Sequence, residues 1–384
     1  MTTTVGINLL WLVPGVVGGS ETSTTTTLHA IADDPPDDLH HVLFALAPFV
    51  EAHPELAGSY EIETLPLSGR LKGMRVGAEQ TWLAERVRRR GVDAMHHMGG
   101  TMPLVPGPAS VLSIHDLQPF DHPENFHPLK RAWLAWAVPR SVARAGLVLT
   151  PSDWVRRTVL DRFEVDPALV QTVHHGVPPL PPPAPASEVR ARHGIDGPFI
   201  FYAAITYPHK DHRTLVRAMS RLAADHPDVS LVLSGGVGPA EQQVMTEIAA
   251  LGLSHRVKRL GRVTFPEVVT LLEEATVVAF PSRYEGFGVP LVEAMSLGRP
   301  LVAADATAIP EVVADGGLLV PPAAVDAWAD ALDRLLGDEA LRVELGERGR
   351  RRADAFSPER NARATVAAHR RVAGRGGATV AGHD

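Results

Sequence analysis

The chain has 384 residues, 45% of them hydrophobic and 21% charged, with a formal net charge of −7 and no cysteine. That length exceeds what one hydrophobic core usually spans and predicts two domains. The acidic balance argues against a nucleic-acid partner, and the missing cysteines exclude disulfides, thiolate nucleophiles and cysteine-held zinc.

The opening run MTTTVGINLLWLVPGVVGG lacks a basic n-region and is interrupted by Pro14. It reads as a buried first strand, not a signal peptide. No apolar run approaches the ~18 residues of a membrane span, so a cytoplasmic protein is expected. Short apolar runs then alternate with amphipathic stretches, the mark of repeated β–α units and a parallel sheet. Strands are predicted at 5–12, 41–47, 60–65, 93–97, 109–114 and 146–150, with helices at 21–32, 76–90, 128–144 and 153–162. Six prolines stand between Pro178 and Pro185, a density that neither helix interior nor central strand tolerates and that makes a stiff spacer. Beyond it, strands are predicted at 199–204, 230–235, 256–260, 276–280, 300–304 and 317–320. Helices are predicted at 211–224, 239–251, 265–274, 290–297, 323–335 and 338–354. The expected organisation is a first doubly wound domain over 1–177, a linker over 178–197, a second such domain over 198–360, and a C-terminal helix and tail over 361–384. The last dozen residues read as frayed. Ligands of open α/β sheets sit outside the strands' carboxyl ends, so a cleft between the domains is the expected site.

The densest chemistry lies in PSRYEGFGVPLVEAMSLGRP, residues 281–300. A predicted strand ends, a loop follows, and Pro290 suits the first turn of a helix. Gly286 and Gly288 permit a sharp turn and close approach of a ligand. The helix start offers free N–H groups to an anion. Glu285 at the loop's mouth and Glu293 a turn into the helix each accept paired hydrogen bonds, which suits vicinal hydroxyls. On spacing alone, a solvated Glu293 beside a simple Gly-Phe-Gly turn is an equally open reading. The four lysines are Lys72, Lys130, Lys210 and Lys258. None precedes Ser or Thr, which excludes a Walker-type phosphate loop.

The run over 281–300 resembles the E-x7-E signature of glycosyltransferase family 4, retaining nucleotide-sugar enzymes of GT-B fold with two Rossmann-like doubly wound domains facing a deep cleft. The resemblance extends through PLVAADATAIPEVVADGGLLVPP (300–322) and back to LVLSGGVG (231–238) and 257–288. It includes PGVVGGSET (14–22), SIHDLQP (113–119) and HHGV (174–177), and covers roughly residues 5–360. It implies that the first domain binds the acceptor and the second the nucleotide sugar. It implies that Glu285 holds hydroxyls of the transferred sugar, that the amides of Gly286, Phe287 and Gly288 meet sugar and diphosphate, and that Glu293 holds the ribose. Lys210, in YPHKDHRTL, would neutralise the departing diphosphate. Many members carry Gly-Arg where this chain has Ala204-Ile205; His209 or Arg213 is the expected substitute for that second cation. His115 would lie near the transferred sugar.

The loop Gly18-Gly19-Ser20 is a strand–turn–helix start suited to phosphate or sugar, but it misses the G-x-G-x-x-G spacing of dinucleotide enzymes. The doublets His96-His97 and His174-His175 lack the spacing of a known ligand set, so no metal and no cofactor is expected. The stretch 129–146 combines basic residues with Trp133 and Trp136, and Arg86, Arg88, Arg89 and Arg90 add a second basic run. Both fit peripheral contact with the inner face of the membrane, although buried tryptophans are the favoured reading of 129–146. The expected function is retaining transfer of a hexose, with GDP-mannose as first donor, to a glycan, lipid-linked or small-molecule hydroxyl. A catalytically inactive nucleotide-sugar-binding subunit and another GT-B enzyme, such as a sugar-nucleotide epimerase, stay open. The sequence leaves the oligomeric state undetermined.

Overall fold

The computed structural model describes residues 2–16, 18–105 and 107–379. It divides the chain into two compact units, one running to Gly176 and resuming at Ser357, the other spanning Val177–Phe356.

The first unit is built on strands β1 (Thr3–Asn8), β2 (Leu39–Leu46), β3 (Glu61–Leu65), β4 (Ala94–His97), β5 (Ala109–Ser113), β6 (Leu147–Thr150) and β7 (Val170–Thr172). They form one sheet in the order β3-β2-β1-β4-β5-β6-β7, all neighbours parallel. A parallel sheet is covered on both faces, which is why its central strands read as unbroken apolar runs. Period-two alternation sends Val5, Ala94, Val111 and Leu147 to one face, under Val366 and Val372 of the last helix. It sends Val42, Phe44 and Met95 to the other, under the helical stretch 72–89. Leu112 and Val148 meet Val138 and Val142 of the 128–144 helix on that same side.

Three expectations change here. β1 closes at Asn8, and Leu9, Leu10 and Leu12 are buried without strand geometry. The single helix predicted over 76–90 is three pieces, Lys72–Ala78, a π-helical turn Glu79–Leu83, and Ala84–Arg89. β7 was not foreseen, because three residues are too few to show alternation.

The tail is also reassigned. A helix runs from Pro358 to Thr379, so the stretch expected to fray from 373 is helical through 379, and 380–384 lie outside the described residues. Ala362, Val366, Ala368 and Val372 form its buried stripe on the first sheet. The second unit therefore closes at Phe356, not at 360. A Cβ added to Gly176 would sit 2.6 Å from Pro358 Cα, so the two segments touch backbone to backbone.

The second unit holds β8 (Phe199–Ala203), β9 (Ser230–Ser234), β10 (Val257–Gly261), β11 (Val277–Phe280), β12 (Leu301–Ala304) and β13 (Leu318–Val320). Their order is β10-β9-β8-β11-β12-β13, again parallel. Trp328, Tyr202, Phe199 and Phe201 are fully buried in its core. The segment expected to be a spacer over 178–197 is partly built into this unit. Residues 186–193 form a helix that buries Val189 and ends on Gly194 at φ 59°. Ala184 is bound on both sides, its N–H donating to Pro266 O at 3.1 Å and its carbonyl accepting from Thr270 Oγ1 at 2.7 Å.

Candidate active site

Two loops leave the carboxyl edge of the second sheet side by side, one after β8 and one after β11. In the first, Pro208–Lys210 make a single 3-10 turn that Asp211 closes at φ 47°. That left-handed backbone is unusual for a non-glycine residue. It is held by Thr214 Oγ1, which donates to Asp211 Oδ2 at 2.8 Å, and by Arg283 Nε at 3.6 Å from the same oxygen. The Arg283 N–H donates to His209 O at 2.8 Å and the Tyr202 hydroxyl to Lys210 O at 3.0 Å. The lacing brings Lys210 Nζ to 2.5 Å from Glu285 Oε1 and 5.9 Å from the Phe280 ring centre. Glu285 is fixed from its other side, its N–H donating to Thr307 Oγ1 at 3.0 Å. The two side chains are 21% and 13% exposed, so the pair is shielded yet reachable.

The helix Val289–Ser296 starts at once after this loop. Gly288 caps it at φ 97°, and a Cβ there would lie 2.7 Å from Leu291 Cδ1. Only glycine fits both the angle and the space. Phe287 is buried, edge-on to Phe356 at 5.3 Å, so its side chain serves the core. Glu293 is half-buried on the helix, and its carboxylate has no hydrogen-bond or ionic partner among the described residues. Burial without a counter-charge pushes its carboxyl up to about 7.

The expected substitutes for the second cation are arranged otherwise. Arg213 and Arg217 both clamp Glu247, so Arg213 already has an ionic partner. His209 stacks on Tyr207, ring centres 5.6 Å apart. A cation missed in the sequence reading, Arg262, lies with Nε 2.9 Å from where a Cβ on Gly236 would be. It has no ionic partner among the described residues. Its position two residues past the predicted strand 256–260, at a carboxyl end, was the available signal. Arg259 is committed instead, to Glu241 Oε2 at 2.9 Å and to the carbonyls of Gly235 and Gly236. A Cβ on Gly235 would lie 2.1 Å from Ala204 O, so the β9 loop crosses directly over Ala204-Ile205.

In the first unit, the glycine loop is fastened by Glu21. The Gly15 N–H donates to Glu21 Oε2 at 2.7 Å, and His53 Nε2 stands 3.2 Å from Oε1. Gly18 (φ 62°) and Gly19 are exposed at the start of the 19–33 helix, with Ser20 half-exposed in its first turn. His115 is half-buried beyond β5. Its Nε2–H donates to Met98 O at 2.9 Å, and its ring faces Trp11 and His175 at 5.9 and 5.6 Å. Burial lowers its pKa, with Met98 O and Asp116 opposing. Neutral and donating through Nε2, it has Nδ1 as a hydrogen-bond acceptor. His175 Nδ1 is 2.5 Å from Ser23 Oγ. Asn361, on the returning helix, holds His174 O at 2.7 Å and accepts from Thr27 Oγ1 at 2.7 Å.

Alternation splits the doublet His96-His97 between opposite faces of the sheet. Among the described residues no group of three or more His, Cys, Asp or Glu is placed to hold a metal ion. The basic run is largely neutralised, with Arg90 on Glu61 and Glu63, Arg86 on Glu63 and Arg89 on Glu85. In the 128–144 helix the favoured reading of buried tryptophans fails. Trp136 is 50% exposed and Leu129 77%, while Ala137, Val138, Ser141 and Val142 supply the buried stripe. Among the described residues no helix is long and apolar enough to cross a membrane.

The second unit thus brings a cation, a carboxylate and a glycine-capped helix start together at the carboxyl edge of a parallel sheet. Residues 17–180 match the family described as Glycosyltransferase Family 4, and residues 186–352 match Glycosyl transferases group 1. The chain is 30% identical to O-antigen chain mannosyltransferase B of Escherichia coli, over 68% of this chain and 70% of that protein. It is 36% identical to MMP alpha-(1->4)-mannosyltransferase of Mycolicibacterium hassiacum, over 65% of this chain and 60% of that protein. Against alpha-D-kanosaminyltransferase of Streptomyces kanamyceticus the figures are 29%, 55% and 56%, so the match spans somewhat over half the length of these two relatives. Among solved structures, sucrose-phosphate synthase of Thermosynechococcus elongatus superposes with a TM-score of 0.75 at 20% identity, covering 96% of this chain and 98% of that one. HepE of Anabaena in complex with UDP-glucose gives 0.72 at 21%, covering 95% and 98%. The chain belongs to the glycosyltransferases, with the GT-B fold and the two domains of the family 4 type.

Proposed function

We propose that the protein transfers a hexose from a nucleotide diphosphate sugar to an acceptor hydroxyl with retention of anomeric configuration. The Lys210–Glu285 pair, 2.5 Å apart beside the capped start of the 289–296 helix, is the observation that carries this reading. Cleavage of the bond from the anomeric carbon to the phosphate oxygen leaves the electron pair, and hence growing charge, on the diphosphate. A preformed cation and backbone amides at 286–288 stabilise that charge without reorganising. Glu285 then exchanges its partner for sugar hydroxyls, and Glu293 accepts from the ribose. Arg262, not Arg213, supplies a second positive charge to the nucleotide. The acceptor hydroxyl attacks from the face the diphosphate leaves and passes its proton to the departing oxygen, so no protein nucleophile and no metal is called for. His115 accepts a hydroxyl hydrogen bond at Nδ1, and Gly18, Gly19 and Ser20 meet acceptor sugar or phosphate.

The names of two of the relatives reported above are mannosyltransferases, which supports GDP-mannose as donor. The acceptor is a glycan, lipid-linked or small-molecule hydroxyl, and the exposed Trp136 and Leu129 support peripheral contact with a membrane surface. The test is calorimetry with GDP, UDP, dTDP and ADP and their common sugars, on wild type and on Glu293→Gln, followed by turnover with acceptor. Selective binding of one nucleotide, weakened in the variant, and product formation support the reading. Binding without turnover of any donor would make the chain a nucleotide-sugar-binding subunit. Absence of binding would sink the donor site.

A further inference from the structure

On one face of the first sheet the covering helices leave a gap. The 72–89 stretch covers β1, β2 and β4, the 128–144 helix covers β5 and β6, and their two apolar clusters do not merge. A cavity of about 770 Å³ lies between them, within the size range of small-molecule sites. Met95, His97 and Ser110 form its floor, and Ala84, Val87 and Met102 line its sides. Among the described residues no Phe, Tyr or Trp borders it. Aliphatic walls with two methionines suit a flexible chain better than a flat ring. The π-helical turn 79–83 places Thr81 and Leu83 on its wall, and such turns occur frequently at functional sites.

The cavity has a polar group at each end. Leu10 N–H donates to Asn8 Oδ1 at 3.1 Å, which fixes the Asn8 amide with Nδ2 towards His97 Nδ1 at 3.3 Å. His97 Nδ1 is thereby an acceptor, and the ring's hydrogen is on Nε2. That Nε2–H has no partner among the described residues and belongs to a buried ring on the cavity wall. At the opposite end stands Arg88, just ahead of the turn into β4. Arg144, two residues before Gly146, also borders the cavity, but its guanidinium donates to the carbonyls of Pro103 and Leu104 at 3.2 and 3.1 Å and acts electrostatically on His97. The Gly146 N–H is bound to Ser110 O at 2.8 Å near the start of β5. Arg88 has no ionic partner among the described residues, and the one bordering carboxylate, Glu85, is held by Arg89 at 2.5 Å. His97 closes β4, roughly 10 Å along the strand from its start at ~3.3 Å per residue. Arg88 thus lies near the amino end of β4, away from the carboxyl edge to which His115 belongs.

We propose that this cavity binds a linear amphiphile, an aliphatic chain with an anionic head at Arg88 and a hydrogen-bond acceptor at its far end for His97 Nε2–H. The site is separate from the donor and acceptor residues, and its argument does not depend on the transferase reading. Calorimetry on the full chain with ω-hydroxydecanoate, decanoate, decyl phosphate and decanol tests it. One carboxylate or phosphate amphiphile should bind per chain, with decanol weaker by about tenfold and decanoate weaker than its ω-hydroxy form by about threefold. Ala84→Phe, which fills the cavity, should abolish binding. Arg88→Glu, an exposed change that leaves the fold intact, should weaken the anions by about tenfold and leave decanol unchanged. No binding of any of the three anions at millimolar concentration would overturn the proposal, as would binding indifferent to both substitutions. Equal affinity for decanoate and its ω-hydroxy form would overturn the role of His97.

Discussion

The two units handle buried polarity in opposite ways. The first threads neutral imidazoles through its sheet. His41 Nε2 meets His369 Nδ1 at 3.0 Å, His369 Nε2 meets His96 Nδ1 at 3.0 Å, and His96 Nε2 meets Ser113 Oγ at 2.8 Å. A neutral imidazole has one donor and one acceptor, so the chain is satisfied without any charge. The second unit keeps full charges in pairs at its loop edge, Lys210 with Glu285 and Arg259 with Glu241. Neutral networks tolerate deep burial because they carry no desolvation penalty for an ion. Charged pairs lie where water or a substrate can take over one partner. Acid therefore acts chiefly on the first unit, with its three chained rings against the buried ring of His212 in the second. Loss of a single charge acts on the second.

The largest expected effect breaks the charged side of this contrast. Lys210→Met should lower kcat by about 10²- to 10³-fold, the scale of a lost donor to a developing anion. Steady-state turnover against an unchanged melting temperature would check it. Near-wild-type kcat would remove Lys210 from the chemistry.

Acid should break the other side. Burial first, then neighbouring imidazoles, hold His41 to about 4 and His96 to about 3, and push His369 well below its ordinary value. Their folded values lie below the unfolded value of 6.5, so below pH 6.5 the unfolded chain binds more protons than the folded one. Stability that is complete above pH 6.5 is lost as pH falls towards 4, at roughly 3 kcal/mol for each ring that must be charged. Hydrogen exchange at pH 7 and pH 4.5 should show the first unit deprotected before the second. Equal loss in both would refute the assignment. His369→Leu leaves two rings short of a partner and should cost about 2–4 kcal/mol at pH 7.

Gly288→Ala combines a φ of 97° with a contact at 2.7 Å and should cost about 1–3 kcal/mol, read from denaturant midpoints of the second unit. The smallest effect has the opposite sign. Glu293, with its carboxyl raised from 4.5 to about 7, withdraws stability as pH climbs through that window. Glu293→Gln should stabilise the protein by about 1–2 kcal/mol at pH 8 while weakening nucleotide binding, a trade expected of a functional residue. A variant less stable than wild type at pH 8 would show that Glu293 has a structural partner.

The strand–loop–helix order at 276–297 was legible because apolar runs, glycines and Pro290 each act locally. The same holds for the helices at 128–144, 153–162 and 265–274, which the structure places at the same residues. Arg213 and Arg262 were not distinguishable in the sequence, since both follow strands and both are basic. What separates them is Glu247 from the 241–250 helix, which captures Arg213 and leaves Arg262 alone. Nor did the basic run 86–90 announce that Glu61 and Glu63, on a strand more than twenty residues earlier, would neutralise much of it.

By itself the sequence determined the period of most elements, the two sheets, the family and the strand–loop–helix order around 281–293, because those depend on near neighbours and on local turn chemistry. Tertiary structure alone decided that the 358–379 helix returns to the first unit, that His369 completes a chain between His41 and His96, and that two covering helices leave a lined cavity between them. Those outcomes come from contacts between segments hundreds of residues apart, or from a space that no segment fills, and neither leaves a pattern in the order of the residues.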